Sequence, residues 1–342
     1  MDANEIETNA KGMVAPGRGI LAADESGRTI KKRFDSIKVE STEESRRSYR
    51  EMLFTTDGIE EFISGVILFD ETLRQKSRDG TPFPALLSSR GIIPGIKVDK
   101  GAKPLAGAPG ETVTEGLDGL RDRLKEYYDL GARFTKWRAV INIGDGLPTQ
   151  NAIDTDAHAL ARFAALSQEA NLVPIVEPEV LMDGGHTIER CHEASESTFK
   201  SVFLELEKQG VLLPGMILKP NMILSGKDCP DQASVQEVAE QTVRCLGRCV
   251  PAAVAGIVFL SGGQSDEAAT AHLNAMNALG DHPWELSFSY GRALQAPALK
   301  AWGGDSANMA QAKKVFYHRC KCNGAARSGS YSEAMEKEFA AA

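Results

Sequence analysis

Eight short apolar runs, each bounded by glycine, proline or aspartate, recur along the 342-residue chain at near-regular spacing. They are GILAAD (19–24), GVILFD (65–70), PGIKVD (94–99), RFTKWRAVI (133–141), LVPIVEPEV (172–180), GMILKPN (215–221), GIVFLSGG (256–263) and WELSFSYG (284–291). Their length and flanks read as buried strands. Between them lie segments with helical periodicity. In GLDGLRDRLKEYYDLG, Leu117, Leu120, Leu124, Tyr127 and Tyr128 share one face. In SDEAATAHLNAMNALG, Ser265 or Asp266 caps the start and Gly280 closes the end. Strands alternating with helices predict a parallel α/β sheet. Eight such repeats predict a closed (β/α)8 TIM barrel in a single domain, with an open doubly wound sheet as the runner-up. Residues 1–322 are assigned to the barrel. The small, polar stretch 323–342 is assigned to a flexible C-terminal tail carrying at most one short helix.

In barrels of this kind functional residues sit at the C-terminal ends of strands. The charges follow that rule. Asp24, Asp70, Lys97 and Asp99 close the first three runs, and Lys219 closes the sixth. Lys136 and Arg138 lie in the fourth run, Glu177 and Glu179 in the fifth. Alternate strand residues share a face, so each of those pairs points one way. If that way is inward, cations and carboxylates converge with Asp24 and Lys219. The bland alternative is a buried ion-pair network. It suits any one charge but accounts poorly for six at strand ends.

Such a set has a definite chemistry. An exposed lysine is almost entirely protonated at neutral pH, with pKa ~10.4. Burial and a neighbouring cation depress that value. A lysine with a neutral population attacks a carbonyl and forms a Schiff base, whose protonated imine is an electron sink. Lys219 sits in an apolar run with Lys136 on a nearby strand. Glu177 and Asp24 are suited to move protons. Phosphate commonly binds after strands seven and eight of such barrels. There the sequence has LSGGQS (260–265) and SYGRA (289–293), with Ser261 and Arg292 as donors and glycines that admit backbone N–H groups. Lys97, Arg46, Lys32 and Arg33 form a second cationic cluster, consistent with a substrate that is anionic at both ends. Gly17 to Ala22 matches GxGxxA but opens a strand rather than a helix, so no dinucleotide site is expected.

Other classes are disfavoured. The net charge of −8 argues against nonspecific binding to nucleic acid or anionic membranes. No apolar run reaches the ~18 residues of a membrane-spanning helix. The opening MDANEIETNAKG is neither a signal nor a transit peptide. The expected compartment is the cytoplasm, or the plastid stroma if a transit peptide has been removed. Six cysteines without a CxxC read as plain thiols, and no histidine cluster has standard zinc-ligand spacing, so no metal or cofactor is expected.

GILAADES (19–26), GIKVDKG (95–101), ETVTEGLDGL (111–120), KWRAV (136–140), IVEPEVL (175–181), LKPNM (218–222), FLSGGQS (259–265), LNAMN (273–277) and SFSYGRALQ (287–295) closely resemble class I fructose-bisphosphate aldolases. The resemblance runs from about residue 5 to residue 322. It implies a (β/α)8 barrel, a homotetramer, and metal-independent cleavage of a phosphorylated sugar through a lysine Schiff base. It implies Lys219 as the Schiff-base lysine and Glu177 as the acid/base for dehydration, with Glu179 as its neighbouring carboxylate. Asp24 becomes the carboxylate of carbon–carbon cleavage, and Lys136 and Arg138 the active-site cations. Ser261, Gly262, Gly291 and Arg292 become the 1-phosphate site. Lys97, Arg46 and Ser26 lie at or near the 6-phosphate end. Two alternatives stand beside fructose 1,6-bisphosphate cleavage: preference for sedoheptulose 1,7-bisphosphate, and a non-enzymatic scaffold. The chain departs from the family at Gly27-Arg28-Thr29, which adds a cation. It also lacks a terminal tyrosine, with Tyr331 and Phe339 its only late aromatics.

Overall fold

The structure is a computed structural model that describes residues 1–340, with side chains through Lys337. Eight strands form a closed, all-parallel barrel: β1 (Gly19–Ala23), β2 (Ile63–Leu68), β3 (Ile93–Lys97), β4 (Phe134–Ile141), β5 (Val173–Val180), β6 (Ile217–Leu218), β7 (Gly256–Phe259) and β8 (Glu285–Tyr290). Each pairs with its neighbours in sequence, and β8 closes on β1. Every strand falls within or beside one of the eight apolar runs. The open-sheet alternative is therefore excluded by the β1–β8 ladder, where Ile20 is in register with Ser289.

Two cores result from the period-two alternation. Outward residues such as Leu21, Val66, Ile96 and Trp137 pack under the surrounding helices. Inward residues Ile20, Ile67, Phe134, Val173, Ile175, Ile217 and Val258 fill the barrel's lower interior. Gly95 lies beside the Phe134 ring, where a Cβ would come within 2.2 Å of it. The barrel floor is closed by the helix Ala3–Met13, capped by Asp2, which inserts Ile6, Ala10 and Met13 into that inner core. Sequence reading did not anticipate this plug, nor the short hairpin Ala102–Pro104 with Thr112–Thr114 after β3.

The helix Met309–Ala326 runs across the boundary placed at 322, and Asn323 and Ala326 are fully buried. Packing continues past that boundary to Tyr331, which is buried in the core and whose N–H donates to Asn274 Oδ1. A further helix, Glu333–Ala340, follows; residues 341–342 of the assigned tail and the Phe339 side chain lie outside the described residues. Among the described residues no helix is long and apolar enough to cross a membrane.

Candidate active site

The inward faces of β4 and β5 change character along their length. Phe134 gives way to Lys136 and Arg138, and Val173 and Ile175 to Glu177 and Glu179. The register places Arg138 opposite Glu177, and Lys97 of β3 opposite Lys136. β6 is only Ile217–Leu218, because Pro220 has no N–H to continue the ladder. Lys219 is nonetheless held in register: its N–H donates to the Val176 carbonyl at 2.8 Å. Asn221 replaces the missing ladder with its side chain, accepting from the Val180 N–H at 3.0 Å and donating to Ser195 Oγ at 3.1 Å.

These side chains form a continuous chain of ion pairs. Lys219 Nζ lies 3.2 Å from Glu177 Oε1. Lys136 Nζ lies 2.9 Å from Glu177 Oε2 and 3.0 Å from Asp24 Oδ2. Arg138 pairs with Glu179, and Lys97 with Asp99. Lys219 is 3% exposed, Glu177 3% and Lys136 4%. Burial lowers the Lys219 ammonium pKa, and the attraction of Glu177 does not restore it against the repulsion of Lys136. For Lys136 the balance reverses. Burial disfavours its charge, yet Asp24 and Glu177 hold its pKa above the ordinary lysine value. Glu177 and Asp24 are both held below their ordinary values, because Lys136 and Lys219 outweigh the cost of burial. Two lysines paired with one carboxylate thus have opposite tendencies. Lys136 stays charged, and Lys219 is the easier one to discharge.

A cavity of about 550 Å³ opens over this chain. Its wall includes Asp24, Ser26, Lys97, Lys136, Arg138, Glu177, Glu179, Lys219, Ser261, Gly262, Gly291 and Arg292, so twelve of the thirteen site residues expected from sequence meet there. Gly262, at φ +55°, turns its carbonyl to the Arg292 guanidinium. Gly291 is the N-cap of the helix Arg292–Trp302. Arg46 is the exception. It is not on that wall; its guanidinium is taken by Glu71 through two bonds of 2.7 and 2.6 Å. Asp70 is also diverted, to Tyr127 and Arg74. Arg28 is exposed and off the wall, and Tyr331 donates to Glu336.

Sequence reading underrated Arg33 and overlooked Glu25. Arg33 is on the wall, and Glu25 fixes it while also pairing with Arg50 at 2.7 Å. The signal was present: Arg33 lies seven residues after Ser26, two helical turns along the helix Gly27–Ser36. Lys227, paired with Asp183 on the wall, gave no signal, since its loop returns to the barrel mouth only in three dimensions.

A closed barrel with a charge-lined cavity at the C-terminal ends of its strands has the architecture of a (β/α)8-barrel enzyme. Comparison with known proteins makes this specific. The family model described as fructose-bisphosphate aldolase class-I matches residues 5–342. A probable fructose-bisphosphate aldolase class 1 of Xanthomonas campestris pv. campestris is 60% identical over 332 residues, covering 97% of this chain and 99% of that one. The fructose-bisphosphate aldolase of Dictyostelium discoideum is 54% identical, covering 96% and 93%. The crystal structure of the Plasmodium falciparum aldolase, solved with TRAP and a small-molecule inhibitor, superposes with a TM-score of 0.95 at 52% identity, covering 96% of each chain. This chain belongs to the class I fructose-bisphosphate aldolase family. It is a lyase that reversibly cleaves fructose 1,6-bisphosphate to dihydroxyacetone phosphate and glyceraldehyde 3-phosphate, by the metal-independent Schiff-base route of its class.

Proposed function

We propose that Lys219 is the lysine of that Schiff base and that Glu177, Asp24 and Lys136 run its proton transfers. The observation that carries this assignment is the 3.2 Å approach of Glu177 to a buried lysine whose charge is disfavoured. Neutral Lys219 attacks the C2 carbonyl of the open-chain ketose and gives a carbinolamine. Glu177, having taken the ammonium proton whose loss left Lys219 neutral, passes it to the departing hydroxyl; water leaves, and a protonated imine remains. Asp24 accepts the proton of the C4 hydroxyl while the C3–C4 bond breaks. The bonding electrons flow to the imine nitrogen, and glyceraldehyde 3-phosphate departs. The enamine left behind is neutral, so Asp24 loses one neighbouring cation and holds its new proton more firmly. That proton is then available to C3. Hydrolysis of the resulting imine releases dihydroxyacetone phosphate and restores Lys219.

Ser261, the Gly262 and Gly291 backbones and Arg292 hold the 1-phosphate, at the start of the helix Arg292–Trp302. Lys97 and Ser26 serve the 6-phosphate, with Arg138 and Glu179 shaping the wall between. Arg46 acts there only if substrate draws it from Glu71. A homotetramer is proposed from family resemblance, to be checked by light scattering. The cytoplasm is the proposed compartment; a relative from Arabidopsis thaliana, 55% identical, carries the word cytosolic in its name.

The test is Lys219→Met. Turnover should fall by more than about 10³-fold while the folded variant still binds the bisphosphate. Turnover within about tenfold of wild type would move the imine to another lysine.

A further inference from the structure

A second cluster lies outside the cavity, at the C-terminal end of the described chain. His318 and Cys322 are four residues apart on the helix Met309–Ala326 and so share one of its faces. Glu336 reaches them from the helix Glu333–Ala340. The ligand atoms of the three lie within 4.8 Å of one another. His318 Nε2 is 3.5 Å from Cys322 Sγ and 3.3 Å from Glu336 Oε2. Those two separations match ligand–ligand edges of a zinc coordination sphere. With Zn–N and Zn–O near 2.0–2.1 Å and Zn–S near 2.3 Å, a tetrahedral angle sets N and S about 3.5 Å apart and N and O about 3.3 Å apart.

The surroundings orient the carboxylate for this role. Glu336 Oε1 accepts from Arg319 and from Tyr331 Oη, the latter at 3.0 Å, which turns Oε2 toward the imidazole and thiol. Outer partners of this kind fix the aim of metal ligands. Arg319 is a cation close to the cluster, but it engages Oε1 rather than Oε2, which faces His318. Cys322 is fully buried, whereas the His318 and Glu336 side chains are 13% and 18% exposed, so solvent has access to one side.

We propose that His318 Nε2, Cys322 Sγ and Glu336 Oε2 bind a divalent zinc-type cation, with water at the fourth vertex, and that the ion clamps the C-terminal helix onto the barrel body. On binding, the Cys322 thiol gives its proton to solvent. Thiolate and carboxylate then balance the two charges of the ion. A nitrogen and sulfur donor pair favours zinc over magnesium or calcium. The site is structural and separate from the metal-independent chemistry at the barrel mouth. No ligand spacing in the sequence marks this site, because the third ligand arrives from another helix.

The full chain, stripped with a chelator and titrated with Co2+, provides the test. One equivalent should raise a near-ultraviolet thiolate-to-cobalt band and the visible bands of tetrahedral cobalt, both displaced by Zn2+. His318→Ala and Cys322→Ala should each weaken Co2+ binding by at least about tenfold, with circular dichroism confirming the fold. Cys322 is fully buried, so His318→Ala alone decides if Cys322→Ala does not fold. Zn2+ should also slow release of the C-terminal residues by carboxypeptidase. The absence of a thiolate–cobalt band at one equivalent, or a band that His318→Ala leaves unchanged, would reduce the cluster to a hydrogen-bonded network.

Discussion

Lys136 is the residue on which the site's electrostatics turn. It touches both Glu177 and Asp24, and it repels Lys219. Breaking a buried pair by removing one partner costs several kcal/mol, which explains why four strand ends can hold so much buried charge only as a set. Within that set Glu177 has the narrowest task. Glu177→Gln keeps the shape but cannot transfer a proton, and its single amide oxygen can accept from only one of the two lysines. Its kcat should fall by about 10²–10⁴-fold with KM little changed. Rapid-quench measurement of the carbinolamine and imine steps checks this, and a pure KM effect would assign Glu177 to binding. A different carboxylate illustrates burial without rescue. Asp156 is 1% exposed; Oδ1 accepts from the Thr114 N–H, and Oδ2 has no hydrogen-bond partner among the described residues. Burial, with Glu111 adding to it, pushes its pKa up to about 7 despite the Thr114 bond. The folded value exceeds the unfolded one, so folding binds this proton more tightly. The associated stability is present at low pH and lost as pH rises from about 4 through about 7, by at most about 4 kcal/mol. Asp156→Asn should therefore gain on wild type as pH rises across that range in urea unfolding. A difference that stays constant with pH would contradict the assignment.

At the scale of elements, the division of labour within the barrel is vertical. The plug helix Ala3–Met13 and the lower inner residues form the packed floor, and the upper strand ends carry the charges that line the cavity. Ile6 is fully buried against the barrel floor. Ile6→Ala should cost about 2–5 kcal/mol in denaturant unfolding and leave kcat per folded molecule unchanged. A matching loss of kcat would mean that floor and mouth are coupled. The strands were legible because an apolar run and its flanking breakers are local signals. The plug was legible as well but went unread: Asp2 is a capping residue, and Ile6, Ala10 and Met13 recur at helical spacing. The hairpin after β3 had no such pattern. Arg46 could not have been placed from sequence. Its partner Glu71 lies 25 residues away on a different helix, and only packing decides that the guanidinium faces it rather than the cavity.

For the whole molecule, closure of the sheet is what turns scattered sequence charges into a site. Asp24, Lys136, Glu177 and Lys219 span nearly two hundred residues, yet strand-end position and period two bring them into one chain of contacts. Sequence reading reached that convergence, and the resemblance supplied the roles proposed for its members. The 3.2 Å contact between Lys219 and Glu177, and the opposed tendencies of the two lysines, required coordinates. The central claim is that Lys219 is the nucleophile. The most direct measurement is borohydride reduction of the protein mixed with dihydroxyacetone phosphate, with and without EDTA, followed by peptide mass mapping. The account predicts one stable adduct per chain, on the peptide containing Lys219, formed equally with EDTA present. An adduct on Lys136 or another lysine, or none at all from active protein, would contradict it.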